Sequence, residues 1–220
     1  MPRKPFQILL LAALLTGLPP AAQAQDKAQL PYSMVKSYLE LFKSLEHLNL
    51  ISPSMMIASV NPEVPPPAIE FKISTSSGWQ TFNPDENGVV EFPDQPDWVN
   101  LVMLSNQPKG TLQLVIGFSA RQLDNTRLSY QELMALVPQF DEALAALAGL
   151  QGQPPPEIKG LTIQLPEGSG AAVKLHSQKG EQTLKSYSNG VVVIKYDEVL
   201  WQENPSVEFD ELPIGIVPLR

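Results

Sequence analysis

The chain has 220 residues, no cysteine, 15 lysines and arginines against 23 aspartates and glutamates, and a formal net charge of −8. That acidity argues against nucleic acid or an anionic membrane surface as a partner. The missing thiols exclude disulfides and thiolate zinc sites, and His47 and His176 are the only imidazoles.

Residues 1–24 read as a cleavable export signal. Arg3 and Lys4 precede an apolar stretch, Phe6–Leu18, which Pro19 and Pro20 end, and Ala22-Gln23-Ala24 supplies a small-x-small cleavage site. The stretch is 13 residues long, short of the about 20 that a bilayer-spanning helix needs. No cysteine follows it to carry a lipid. Cleavage before Gln25 removes two positive charges and no acid, which moves the net charge from −8 to −10. A cysteine-free exported chain of this size is expected in a bacterial periplasm, with no membrane span left after cleavage.

The segment 32–48 follows, with Val35, Tyr38, Leu39, Phe42 and Leu45 on one helical face. Short strands are predicted over 54–60, 68–75, 79–82, 88–92, 100–105 and 111–118, separated by proline-rich joints. RQLDNTR, within 119–128, is polar and aperiodic and reads as a linker. A second helical pattern covers 130–147, with Leu133, Met134, Val137, Phe140 and Leu144 on its apolar face. Ser129 and Glu132 predict a capping box at its start, and Pro138 predicts a kink or split. After the loop 148–157, strands are expected over 160–165, 171–177, 182–187, 190–195, 206–209 and 214–219.

These elements recur. NGVV at 87–90 returns at 189–192, IEFKI (69–73) lies opposite AVKL (172–175), and Gly78 lies opposite Gly180. Trp98 and Trp201 fall at nearly the same place in the two halves. The fold class expected is α+β, as two tandem similar units, each one helix followed by an antiparallel β-sheet or small β-sandwich. The signal (1–24) precedes the first unit at 25–118, the linker at 119–128 and the second unit at 129–220.

The helix beginning at Tyr32, the Asn-Gly turn and SNQPKGTLQL (105–114) carry a resemblance over most of the mature chain. They resemble an uncharacterised family of exported proteobacterial proteins, a domain of unknown function. The resemblance implies a compartment and no mechanism. The rhythm of short strands is also similar to immunoglobulin-like or transthyretin-like sandwiches, which is a likeness of fold and carries no function.

One stretch looks like a site. NPDENGVVEFPD (83–94) puts Asn83, Asp85, Asn87, Gly88 and Asp94 at positions 1, 3, 5, 6 and 12 of a calcium loop. The other half reads KSYSNGVVVIKY (185–196), which keeps the Asn-Gly turn and replaces three oxygen ligands by Lys185, Tyr187 and Tyr196. The stretch is therefore expected to be a hairpin with a type I′ turn, positive φ at both central residues, and no metal. No cofactor is implied either.

Trp79, Trp98 and Trp201 are the candidate binding residues, as a stacking platform for sugars or as core filling. Trp79 has no aromatic counterpart in the second half and is expected to be the exposed one. Six acids near the C-terminus (Asp197, Glu198, Glu203, Glu208, Asp210, Glu211) raise the idea of a carboxylate pair, but they sit on short peripheral strands and turns. GxSxG does not occur. The reading reached is a non-enzymatic binding or assembly module that engages another periplasmic or envelope protein through strand edges or a groove. Its alternatives are a glycan-active enzyme with carboxylates in a cleft and a small-ligand carrier with an apolar cavity. Oligomeric state is not fixed by the sequence.

Overall fold

The computed structural model describes residues 26–220, so residues 1–24, read from the sequence as an export signal, lie outside the described residues. The protein is α+β, mostly antiparallel sheets with few helices. It divides into two compact units, the described residues up to Ser44 with Pro53–Gly117, and Leu45–Ser52 with Phe118–Arg220.

In the first unit, β1 (Lys27–Pro31) leads directly into α1 (Tyr32–Ser44). The strands β3 (Phe71–Thr75), β4 (Gly78–Phe82) and β5 (Val102–Pro108) join β1 in a four-stranded sheet of order β1-β5-β3-β4. Strict alternation decides its faces: Ala28, Leu30, Phe71, Ile73 and Met103 are buried, and their neighbours in sequence point to solvent. The strands β2 (Ile51–Ser59) and β6 (Leu112–Ala120), which contribute residues to both units, pair with one another. A 3₁₀ turn at Pro96–Trp98 precedes β5.

The second unit begins with β7 (Arg127–Ser129), α2 (Tyr130–Met134) and α3 (Leu136–Leu150). Its four-stranded sheet has the order β10-β9-β12-β7, built with β9 (Ala172–Ser177), β10 (Gly180–Lys185) and β12 (Ser206–Phe209). A three-stranded sheet, β11-β8-β13, comprises β8 (Gly160–Gln164), β11 (Val191–Lys195) and β13 (Gly215–Leu219). A short α4 (Glu198–Glu203) lies between β11 and β12, capped by the Asp197 side chain. The segment Tyr130–Leu150 is long and apolar enough to cross a membrane by length and composition. Here Tyr130, Leu133, Met134, Phe140 and Leu144 are core residues of the second unit.

The capping box forms: Ser129 Oγ accepts from Glu132 N at 3.2 Å and Glu132 Oε2 accepts from Ser129 N at 2.7 Å. The helix also splits, at Ala135. Pro138 has no N–H to donate and its ring crowds the Met134 carbonyl, so it is accommodated within the first turn of a new helix.

Four expectations need correction. Residues 88–92 are not a strand; Val89 makes only an isolated bridge to Met56, while Ile57 N donates to Gly88 O and Val90 N to Met55 O. The stretch 119–128 contains the end of β6 and the start of β7, and β1 and β7 place a strand before the helix in each unit.

The Asn-Gly turn, finally, closes no hairpin. β10 pairs with β9 and β11 with β8, so the turn passes the chain from one sheet to another. Its geometry differs from type I′ as well. Gly88 N bonds Asp85 O and Asp85 N bonds Val89 O, with positive φ at Gly88 (+84°) and not at Asn87. Tyr187 and Val191 bracket Gly190 (φ +79°) in the same way. This is a three-residue loop with a type I turn and a left-handed glycine. A Cβ on Gly88 would lie 2.9 Å from Ile57 O, and one on Gly190 2.5 Å from Leu165 O, so close backbone approach also requires glycine.

Candidate functional site

The outward face of the first four-stranded sheet can be read row by row from its register. Gln29, Leu104, Lys72 and Thr81 lie directly across from one another on β1, β5, β3 and β4. One step along the pleat, Pro31 opposes Val102 and Ser74 opposes Trp79. Three of these side chains are large, apolar and exposed: Trp79 by 62%, Val102 by 43% and Leu104 by 38%. Lys72, on the same face, pairs with Glu70 at 2.9 Å.

The second unit's four-stranded sheet carries different chemistry in the matching rows. Arg127, Glu208, Lys174 and Thr183 form one row, and Ser129, Ser206, His176 and Glu181 the next. His176 lies 3.3 Å from Glu208 and 3.5 Å from Glu181, and Lys174 lies 2.7 Å from Asp210. Among the described residues His176 Nε2 has no directed hydrogen-bond partner, although it lies 3.3 Å from a Glu208 carboxylate oxygen. Lys174 and the Ala172 N–H hold the Asp210 carboxyl below its ordinary range.

The edge of the first sheet is as distinctive as its face. Asn106 N donates to Glu70 O, which fixes the phase of the ladder: even-numbered β3 residues bond β5, odd-numbered ones bond β4. Gln80 therefore turns its backbone groups toward β3, and Trp79 and Thr81 turn N–H and C=O outward. Exposed edges are normally guarded by charge, proline or a bulge. β1 has Lys27, Pro31 and a break in register; β7 has Arg127; β10 has Glu181 and Lys185. β4, Gly-Trp-Gln-Thr-Phe, has none of these.

The three tryptophans do not form one platform. Trp98 stacks edge-on against Tyr32 at 5.5 Å and meets Phe82 at 6.3 Å, on the opposite side of β4 from Trp79. Trp201 belongs to the second unit and packs on Tyr196 at 6.0 Å. Sequence reasoning found Trp79 and missed Val102 and Leu104, because which exposed residues share a row depends on strand pairing.

The calcium-like loop spends its two aspartates and Asn83 on contacts within the protein. Asp85 Oδ1 accepts from Asn87 N at 2.9 Å and Val89 N at 2.8 Å, and Asn83 donates to Ile69 O at 2.9 Å. Asp94 is bridged by Lys36 and Lys43, and the Lys36 contact, followed by that of Lys43, holds its carboxyl below the usual range. Among the described residues no group of three or more His, Cys, Asp or Glu converges as a metal site.

The C-terminal acids are similarly dispersed. Asp197 caps α4 through Val199 N and Leu200 N, and Glu198 accepts from Tyr196 and Gln202. Glu203 accepts from Gln178 N, Glu208 faces His176, and Asp210 holds Lys174. His47, exposed at the surface, pairs with Glu142 at 2.7 Å.

Comparison with protein-family models, with curated proteins and with solved structures finds no match to the chain.

Proposed function

We propose that this chain is an exported periplasmic module without catalytic activity, which binds an extended polypeptide on the outer face and free β4 edge of its first sheet. One observation carries the reading. Positions that hold Glu181, Glu208 and Arg127 in the second sheet hold Trp79, Leu104 and Gln29 in the first, so one face is solvated and the other is apolar around an unguarded edge. Strand addition uses these two elements together, backbone bonds for affinity and alternate side chains for choice of partner.

The units themselves are proposed to be two copies of one helix-plus-sheet design. Strand order supports this, β1-β5-β3-β4 against β7-β12-β9-β10. So does local bonding: Thr75 Oγ1 donates to Gly78 O as Ser177 Oγ does to Gly180 O, and Glu70 N bonds Asn106 Oδ1 as Ala172 N bonds Asp210 Oδ2.

The test is a photo-crosslinking residue placed at Ser74, on the first face, or at His176, on the second, in the exported protein within intact cells. Capture of an extended partner segment from Ser74 and not from His176 is expected, with Trp79→Glu reducing the yield at least tenfold. Equal capture from both faces, or capture indifferent to Trp79→Glu, sinks the reading.

A further inference from the structure

We infer that the β4 edge pairs antiparallel with the β4 of a second copy of this chain about a two-fold axis at Gln80, joining two four-stranded sheets into one of eight strands. The inference rests on the strand-addition reading above and names one occupant of that site.

A two-fold interface must be self-complementary, each contact occurring twice. With the axis at Gln80, Trp79 faces the partner's Thr81 and Thr81 faces the partner's Trp79. Both residues direct N–H and C=O outward, so each facing pair exchanges two hydrogen bonds. Gln80 then opposes its own copy in a non-bonded pair, where side chains come closest and each amide offers both donor and acceptor. An aromatic opposite a β-branched residue is a favourable cross-strand pair, and the two Trp79 rings become diagonal neighbours within reach of one another.

Charge selects this edge over its counterpart. The chain is strongly acidic, with a net charge of −8 as a full sequence, but no charged residue lies on β4. The same operation on β10, centred at Gln182, sets Glu181 diagonally against Glu181 of the other copy, where like charges repel. Size limits the result. A five-residue edge contact falls short of the about 1,200 Å² that stable interfaces bury, so the pair forms only at high concentration and opens to other strands at low.

Sedimentation velocity of the exported chain tests this from roughly 10 μM to 1 mM, the range in which small interfaces associate. The average mass is expected to rise from one chain toward two and no further. Thr81→Pro removes an outward N–H that β3 does not use, and it abolishes the rise while near-ultraviolet circular dichroism stays native. Trp79→Glu does the same by charge, and Thr183→Pro on β10 leaves the rise intact. A chain that stays single at every concentration overturns the inference, as does a rise that survives both β4 variants or continues past two chains. The broader reading fails separately. If the chain stays single yet crosslinks a foreign strand from Ser74, self-pairing is wrong and strand addition stands; if β4 variants leave that crosslink unchanged, strand addition is wrong as well.

Discussion

Tyr32 and Tyr130 each open a helix, are fully buried, and use one hydroxyl to hold two backbone groups across the chain. Tyr32 donates to Pro93 O and accepts from Gln95 N; Tyr130 donates to Lys195 O and accepts from Asp197 N. Around these matching clasps the two units differ. Asp94, between the two bonded groups of the first, is pinned by Lys36 and Lys43 to α1, whereas Tyr196, in that place in the second, leans toward Trp201 and bonds Glu198. Burial lifts the Tyr130 hydroxyl above its usual pKa, so the clasp keeps its proton across the physiological range. Buried joints are thus matched and exposed chemistry is not, the same contrast that separates the two sheet faces. Buried polar groups need their bonds within the protein, whereas exposed ones can bond to water.

The largest expected effect lies at the turns. Alanine at Gly88 or Gly190 must adopt positive φ and push a methyl into a carbonyl, at 2.9 Å and 2.5 Å respectively. Both substitutions should destabilise, by about 2–4 kcal/mol, with Gly190→Ala the worse because its clash is closer. Urea denaturation of the two variants measures this, and equal or reversed losses break the match drawn between the turns.

Removing a clasp hydroxyl is next. Tyr32→Phe and Tyr130→Phe each leave a part-buried acceptor and donor without their partner, at a cost of about 1–2 kcal/mol. The first loss should be the smaller, because Lys36 and Lys43 still hold the 93–95 segment through Asp94. A Tyr32→Phe variant that loses as much stability as Tyr130→Phe would show that the ion cluster does not support the clasp.

How much of this could be read in the sequence follows from the range of each interaction. β9 and β12 announce themselves by local alternation, β8, β11 and β13 by short apolar runs between turns, and the helix split by Pro138. β7 does not: Arg-Leu-Ser becomes a strand only because β12 supplies its partners, Ser206 to Ser129 and Glu208 to Arg127. The run GVVEF misled for the opposite reason, since its apolar content suits a strand but pairing with β2 ends after one bridge. α4 was hidden because six residues give no helical period, although Asp197 before Glu198 is a usable cap signal. Trp79 was visible as an unmatched aromatic, while the apolar face it shares with Val102 and Leu104 exists only once non-local register is known.

The smallest effect separates the two units by pH. Lys36 and then Lys43 lower the folded-state pKa of Asp94 below 3.8, its value as a free side chain. A carboxyl with a depressed folded pKa contributes stability that is complete above the unfolded value and is lost as pH falls through the folded one. The stability difference between the native chain and Asp94→Asn should therefore be constant from neutral pH down to about 4 and shrink below it. Tyr196 in the matching place cannot itself titrate there, so Tyr196→Phe should change the acid limb only through Glu198, whose carboxyl Gln202 and then the Tyr196 hydroxyl hold below its ordinary range. The second unit has its own acid dependence through Asp210, lowered by Lys174 and the Ala172 N–H, and Asp210→Asn should flatten that part of the curve. Both aspartates lie at the surface, where salt screens such pairs. Repeating the titration in 1 M salt should weaken both contributions, and an acid limb that keeps its shape would place its origin in groups other than these two.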